Sequence, residues 1–157
     1  MTSDQHFLPI LEQTAKILEI ATPELDSLGT CNISFADEFQ LSIVAPPFTG
    51  FVYLAAPVCM VNDAGSDQLY RRALETNYML SATRGATLAI DSSVNQLLLC
   101  IRFPLDTLTP QVLADALVSM ADVAEKLRKT LPFDNSAGAE TNSIDLDSLR
   151  DSVILRG

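Results

Sequence analysis

Residues 69–108 decide the fold, and their sequence is LYRRALETNYMLSATRGATLAIDSSVNQLLLCIRFPLDTL. Between Leu69 and Leu80, apolar residues recur at steps of three and four positions, which predicts an amphipathic helix. Arg84 then supplies a cation for the last turn, and Gly85 tolerates the positive φ that commonly follows a helix. We therefore expect the helical region to stop at Gly85.

A β-hairpin is predicted directly after this helix. Residues 86–90 and 97–101 are apolar and partly β-branched, and the segment between them, Asp91 to Asn95, consists mostly of residues that favour turns. Pro104 lacks the N–H that a strand donates to its neighbour. The second strand should therefore end at Pro104.

The second strand of this hairpin is apolar on both faces, whereas a half-buried strand alternates apolar and polar residues. One face suffices for the core of a small domain, so the other needs a second covering layer. We interpret this layer as a second subunit, with the interface at Tyr70, Leu74, Tyr78, Leu98 and Cys100. The alternative is a three-layer monomer whose own helices cover both faces of the sheet.

Two further helices are predicted, one near each end of the chain. An apolar stripe places the first within about Asp4–Ile20, and Pro9, which a helix tolerates only in its first turn, makes the regular helix begin near residue 8. The last helix is expected to have Thr109 as its N-cap and Pro110 in its first helical position. Its apolar residues keep helical spacing over about five turns.

Three strands should lie between the first helix and residue 69. Alternation of apolar and polar residues predicts strands at 31–35 and 39–45. A third strand at 51–56 is apolar on both faces, and Pro57 should stop it. Short connections favour an antiparallel meander, so the whole chain is expected to be an α+β domain of order α-β-β-β-α-β-β-α with a twisted antiparallel sheet.

The composition favours one globular domain, which we place at residues 1–132. The remaining 25 residues, 133–157, begin with small and polar residues and should form a flexible acidic tail. The end of this tail, Ile144–Leu155, is amphipathic enough for a short helix. It can dock on its own domain, dock on a partner or stay loose, and the sequence does not decide among these.

Twenty acidic and ten basic residues give a net charge of −10, which argues against binding to nucleic acid or to an anionic membrane. No apolar run is long enough to insert into a membrane, and the N-terminus lacks the pattern of a secretory signal. Residues 1–67 hold nine of the acids and one base. This asymmetry either serves solubility or attracts a neutral or basic polypeptide.

Catalytic and metal-binding patterns are not found in the sequence. His6 is the only histidine and lies near a terminus, and the three cysteines are widely spaced in apolar surroundings, as expected for reduced thiols in a cytosol. The segment at 83–87 fails the context of a phosphate-binding loop because a strand follows it. We expect no catalytic residues, no metal site and no cofactor. A small enzyme or ligand-binding α+β domain is kept as an alternative.

Three segments of the sequence resemble the class I type III secretion chaperones, the Tir-chaperone or CesT-like family. These are Ala73-Leu74 with Asn77, the strand GATLAI at 85–90, and Phe103-Pro104-Leu105, which match structural positions of the family pattern. The resemblance is strong over about residues 69–130 and agrees in element order, size and acidity over 1–68.

This resemblance implies a small, acidic, cytoplasmic homodimer from a bacterium. It would bind the N-terminal segment of one or more secreted effectors in extended form and keep it secretion-competent, and an export-apparatus ATPase is a further candidate partner. Apolar patches and an exposed sheet edge suit an extended segment. We expect client contacts on the first helix and on the third strand, at Ile10, Leu11, Leu18, Val52 and Leu54. A regulatory adaptor of the same fold, which sequesters a regulator or export component, is the other alternative.

Overall fold

The structure is a computed structural model that describes residues 3–35, 39–62 and 66–131. The elements are α1 (Ser3–Ile17), β1 (Thr30–Phe35), β2 (Phe39–Val44), β3 (Phe51–Met60), α2 (Ser66–Thr76), β4 (Thr87–Asp91), β5 (Gln96–Pro104) and α3 (Pro110–Thr130). A short 3₁₀ helix, Tyr78–Leu80, follows α2. This order confirms the predicted α+β arrangement, and β5 ends at Pro104 as expected. The predicted tail at 133–157 lies outside the described residues.

The five strands form one sheet in the order β1-β2-β3-β5-β4. β2 pairs antiparallel with both β1 and β3. The register places Ile43 opposite Cys31 on one side and opposite Leu54 on the other, so these three side chains share one face. Because β1 and β4 stand at the two ends of the order, they are the edge strands.

Contacts divide the chain into two compact units. Of the described residues, the first unit comprises those within 3–56 and 100–122, and the second comprises those within 57–99 and 123–131. The core of the first unit includes the buried side chains Phe7, Leu11, Ala15, Ile33, Leu41, Ile43, Val52, Leu54, Leu113 and Leu117. The core of the second includes Val58, Leu69, Ala73, Leu88, Leu97, Leu98, Leu99, Val123 and Leu127. The single domain at 1–132 stays a prediction.

The prediction that α1 begins near residue 8 is wrong, because the helix starts at Ser3 and contains Pro9. A proline within a helix removes one backbone hydrogen bond. Phe7 and Leu11 flank this position, and both side chains are fully buried. Their burial holds the helix together across the proline.

The prediction that the third strand stops at Pro57 is also wrong, since β3 continues to Met60. The pairing of β3 with β2 covers Tyr53, Leu54 and Ala55 only. Pro57 lies beyond the last of these pairs, so its missing N–H removes no bond from that ladder.

α2 is shorter than the sequence predicts and ends at Thr76. The chain then makes the 3₁₀ helix, in which Met79 and Leu80 adopt left-handed backbone angles (φ 60° and 53°). Gly85 has the expected positive φ of 91°, and its N–H donates to the Leu80 carbonyl over 2.9 Å. Gly85 therefore ends the whole helical region, but not α2 itself.

α3 begins as predicted, with Pro110 in the first helical position. The Thr109 hydroxyl accepts a hydrogen bond from the Val112 N–H at 3.3 Å, which confirms Thr109 as the N-cap. α3 is linked to α1 through Thr14, which is fully buried. The Thr14 hydroxyl lies 2.8 Å from the Ile10 carbonyl and 3.2 Å from the Pro110 carbonyl.

We expect Thr14→Val to lower the free energy of unfolding by about 1 kcal/mol, because the Ile10 and Pro110 carbonyls lose the buried hydroxyl that lies within hydrogen-bond distance of both. Thr130→Val is the matched control: its hydroxyl also bonds a carbonyl four residues earlier, but the residue is exposed. Urea unfolding of both variants checks this. Equal losses in the two would show that the link between the helices contributes nothing.

Candidate interaction surfaces

The outer edge of β1 offers unpaired backbone at two residues, Asn32 and Ser34. At the start of the strand, the Thr30 N–H donates to the Asp26 carboxylate (2.8 Å) and the Thr30 carbonyl accepts from the Asp26 N–H (2.9 Å). Both backbone groups of Thr30 therefore point away from β2. Because this direction alternates along an antiparallel strand, the backbone groups of Asn32 and Ser34 also point away from β2. No described strand lies beyond β1.

The outer edge of β4 is capped at its start, where Thr83 bonds Ala86 and Asn77 bonds Leu88. The Asn77 amide bonds Leu88 twice, accepting from its N–H at 2.8 Å and donating to its carbonyl at 3.1 Å. The backbone groups of Ala86 are similarly bonded by Thr83, whose hydroxyl donates to the Ala86 carbonyl and whose carbonyl accepts from the Ala86 N–H. The Asn77 amide thus makes the two hydrogen bonds that a neighbouring strand would make with Leu88. Closing an edge in this way prevents strand addition there.

A second candidate surface is the α2 patch, which we define as Tyr70, Leu74, Tyr78, Met79 and Leu80. Tyr70 and Leu74 are one helical turn apart on α2, and the other three form the 3₁₀ helix. Leu74 is 70% exposed, and Tyr78 and Met79 are each 76% exposed. Large apolar side chains that are clustered and this exposed are typical of a protein interface.

The five residues predicted for the dimer interface differ in their positions. Tyr70, Leu74 and Tyr78 belong to the α2 patch, and Cys100 is half-buried. Leu98 is 1% exposed and lies between the equally buried Leu97 and Leu99. Since successive strand residues point to opposite faces, this part of β5 is covered on both faces within the single chain. Leu98 therefore offers no free surface in this conformation, and its assignment to the subunit interface stays a prediction, as do the other four assignments.

The five residues predicted for client contacts are likewise divided. Ile10 and Leu18 are half-buried on or just after α1, whereas the side chains of Leu11, Val52 and Leu54 are fully buried. The three buried residues offer no free surface in this conformation, and their assignment to client contacts stays a prediction. The exposed apolar side chains of α1 are Leu8 and Ile17, at 42% and 44%. The sequence prediction did not include either of them.

Leu8 contributes to an open groove, the α1 groove, of about 590 Å³. The other lining residues are the consecutive Thr22, Pro23, Glu24, Leu25, Asp26 and Ser27, between α1 and β1. Asp26 Oδ1 accepts hydrogen bonds from the N–H groups of Leu28 and Thr30, both at 2.8 Å. These bonds fix the segment against the start of β1.

The ionisable groups show little sign of reactive chemistry. Burial, and then the nearby Asp26 carboxylate, raise the pKa of Cys31 to about 12. Burial raises the pKa of Cys59 to about 11, although Arg128 partly opposes this shift. Both thiols are therefore protonated at neutral pH and are poor nucleophiles. Within residues 3–35, 39–62 and 66–131, no cluster of three or more His, Cys, Asp or Glu side chains could hold a metal ion.

A family model provides the relationship of this chain to known proteins. The model of the Tir chaperone protein (CesT) family matches residues 9–128, about three quarters of the sequence. The chain belongs to this family. No curated protein matches the chain significantly. In the described part of this CesT-family chain, no helix is long and apolar enough to span a membrane.

Solved structures share the fold of this CesT-family chain at low sequence identity. A chain of the HopA1–SchA chaperone–effector complex is 20% identical, with a TM-score of 0.67 over 82% of this chain and 97% of its own. The structure of the Yersinia pestis type III secretion chaperone SycH, in complex with a fragment of YscM2, is 23% identical. Its TM-score is 0.60, over 77% of this chain and 98% of its own. A chain of the ExoT–SpcS complex from Pseudomonas aeruginosa is 19% identical, with a TM-score of 0.59 over 77% of this chain and 96% of its own.

The sequence analysis predicted an exposed sheet edge in this CesT-family chain, but not that β1 forms it or that Asn77 caps β4. Asn32 and Ser34 are visible in the sequence as the polar face of a strand, but the strand order makes β1 an edge. Asn77 is part of the family pattern, and only the fold brings its amide to Leu88. Leu8 could have been found from the sequence, because it lies next to the apolar stripe of α1.

Proposed function

We propose that this protein is a type III secretion chaperone that binds the N-terminal segment of one or more effectors in extended form. Membership of the Tir chaperone family supports this function. The HopA1–SchA structure is a chaperone–effector complex, and the ExsC–ExsE and ExoT–SpcS structures are complexes of the same fold. In this function the protein acts in the bacterial cytoplasm and needs no catalytic group, cofactor or metal.

One observation carries the proposed mode of binding, namely that the outward backbone groups of β1 are unpaired at Asn32 and Ser34, whereas those of β4 are capped at Leu88 by Asn77. An extended segment can add a strand to β1 by bonding the outward groups of Asn32 and Ser34. These two residues offer two N–H donors and two carbonyl acceptors. The client then remains unfolded while its backbone polar groups are partly satisfied.

The α2 patch supports a homodimer. Tyr70, Leu74 and Tyr78 lie on one side of α2 and its 3₁₀ extension, and Leu74 and Tyr78 are mostly exposed in the single chain. An isologous dimer would bury this surface on two copies at once. Because the patch contains no backbone edge, it suits a packed interface better than an added strand.

Asn32→Pro should weaken capture of the client from the native host by about tenfold, because proline removes one outward donor and its ring obstructs the added strand. The substitution leaves the backbone ladder between β1 and β2 intact, but it removes the side-chain oxygen of Asn32 that accepts a hydrogen bond from the Ser42 hydroxyl at 2.6 Å. Recovered client is measured by quantitative mass spectrometry, and limited proteolysis of the complex maps the protected segment.

The matched control is Ile90→Pro, at the corresponding outward position of β4. This variant loses a donor on the edge where Asn77 and Thr83 already prevent strand addition, so client recovery should equal that of the wild type. If Asn32→Pro also recovers as much client as the wild type, the client does not bind the β1 edge.

A further inference from the structure

One face of the β1–β2 pair carries polar side chains up to the open edge. The register pairs Asn32 with Ser42 and Ser34 with Gln40. Residues directly opposite each other share a face of the sheet, as do residues two apart on a strand, so these four side chains lie together. We call them the polar row. Asn32, Ser34 and Gln40 are exposed, whereas Ser42 is only 1% exposed.

The Asn32 amide has a fixed orientation within the polar row. The Ser42 hydroxyl donates a hydrogen bond of 2.6 Å to the Asn32 side-chain oxygen. Since the oxygen and nitrogen of an amide lie on opposite sides of its carbon, an oxygen held toward β2 leaves the nitrogen on the side of the open edge. Within the part of the chain that the structure describes, no group accepts a hydrogen bond from this nitrogen. The edge therefore presents side-chain donors beside its backbone groups.

A client strand added to this edge places a side chain next to the Asn32 nitrogen. The client residue that exchanges backbone hydrogen bonds with Asn32 lies directly opposite it, with its side chain on the same face and its Cβ about 5 Å away. The client residue two positions along lies opposite Ser34 in the same way. The residues between point to the other face, which carries the buried Cys31 and Ile33.

The chemistry of the polar row favours an uncharged acceptor opposite Asn32. An apolar side chain would cover the N–H groups of the Asn32 amide without bonding them, which weakens binding. A carboxylate could accept from them, but residues 1–67 hold nine acids and one base, so a further negative charge is repelled. A lysine or arginine side chain brings only donors to a donor. Asn, Gln, Ser and Thr remain, because each offers an oxygen without a charge.

We propose that Asn32 is a specificity-determining residue, which selects Asn, Gln, Ser or Thr at the client position opposite it. The inference rests on the proposed function, because the client reaches Asn32 only as a strand added to β1. The client segment accordingly carries a neutral polar residue at this position and a second polar residue two positions along, opposite Ser34.

Asn32→Asp reverses this preference and preserves the rest of the edge. Its carboxylate still accepts from the Ser42 hydroxyl and its backbone N–H is retained, but it presents an acceptor where Asn32 presents a donor. A random 12-residue peptide library displayed on phage is selected against the full wild-type chain and against this variant. Aligned wild-type peptides should carry Asn, Gln, Ser or Thr at one position. Peptides selected on the variant should carry Lys or Arg at that same position.

A synthetic copy of the most enriched wild-type peptide is then the probe for fluorescence polarisation. Asn32→Asp should raise its Kd about fivefold, because two acceptors face each other across the strand pair. The same peptide with lysine at the identified position should bind the variant more tightly than it binds the wild type. Gln68→Glu is the matched control: it makes the same amide-to-carboxylate change at an exposed residue in the first turn of α2, and both Kd values should stay unchanged.

Asn32→Pro separates this inference from the proposed function. If Asn32→Pro weakens the probe while Asn32→Asp binds it as the wild type does, strand addition stands and the role of Asn32 in specificity is wrong. If Asn32→Pro binds the probe as the wild type does, the probe does not occupy β1, and strand addition fails together with the inference. A selection that enriches no peptide, or that enriches the same residues on the wild type and on Asn32→Asp, overturns the inference.

Discussion

The double variant Leu74→Asp/Tyr78→Asp is expected to sediment as a monomer of about 17 kDa at micromolar concentration, where the wild type sediments as a dimer. Leu74 and Tyr78 are 70% and 76% exposed in the single chain, so the substitutions disturb no core packing. In a dimer that covers the α2 patch, each carboxylate would be buried against apolar side chains. That burial costs about 3 kcal/mol per group, and each such cost raises the dissociation constant roughly a hundredfold.

Val118→Asp is the control for this experiment. Val118 is 52% exposed on α3 and lies outside the α2 patch, so the variant should sediment as the wild type does. The unfolding transition of all three proteins establishes that the fold is intact. A double variant that remains dimeric would show that the α2 patch is not the subunit interface.

Asn77→Ala should lower the free energy of unfolding by about 2–3 kcal/mol, because the N–H and carbonyl of Leu88 both lose their partner. Leu88 is only 6% exposed, so water replaces these bonds poorly. Gln111→Ala is the control: it also removes an amide hydrogen bond, that to Asp115, but at the surface. The free energy of unfolding of this control should fall by less than about 0.5 kcal/mol.

Asn77→Asp gives this prediction a pH signature. A carboxylate still accepts from the Leu88 N–H, but it repels the Leu88 carbonyl instead of donating to it. Protonation restores a donor, so this variant should regain stability relative to the wild type as the pH falls into the range where carboxylates are protonated. A loss of stability that is independent of pH would show that the Leu88 carbonyl does not need the Asn77 donor.

The sequence predicted the order of the elements because their periodicities are local. Alternation along 31–35, the cap at Thr109 and the proline at the end of β5 depend on residues that are neighbours in the chain. Pro9 and Pro57 were interpreted by the same local rules, and both were wrong. The burial of Phe7 and Leu11 and the limited pairing between β2 and β3 decide those positions, and neither is visible in a local pattern.

The sequence analysis predicted surplus apolar surface on α2, β3 and β5, and the structure exposes such surface on α2. Leu98 and Val52 belong to strands that are apolar on both faces, and the structure shows that such strands can be buried within the single chain. The exposed apolar side chains on α2 and its 3₁₀ extension include Leu74 and Tyr78, which the sequence analysis named, and Met79, which it did not. Helical spacing was enough to choose Leu74 and Tyr78 rather than the buried Leu69 and Ala73, but it could not show the 3₁₀ helix that contains Met79.

Residue-resolved hydrogen–deuterium exchange tests the central claim, that this chaperone has one open edge and that its client fills it. In the free protein, the amides of Asn32 and Ser34 should exchange fast, whereas the amide of Leu88, bonded to Asn77, should exchange slowly. In the complex with client purified from the native host, Asn32 and Ser34 should become slow and Leu88 should not change. Slow exchange at Asn32 and Ser34 in the free protein, or client-induced protection on β4 and not on β1, would contradict the account.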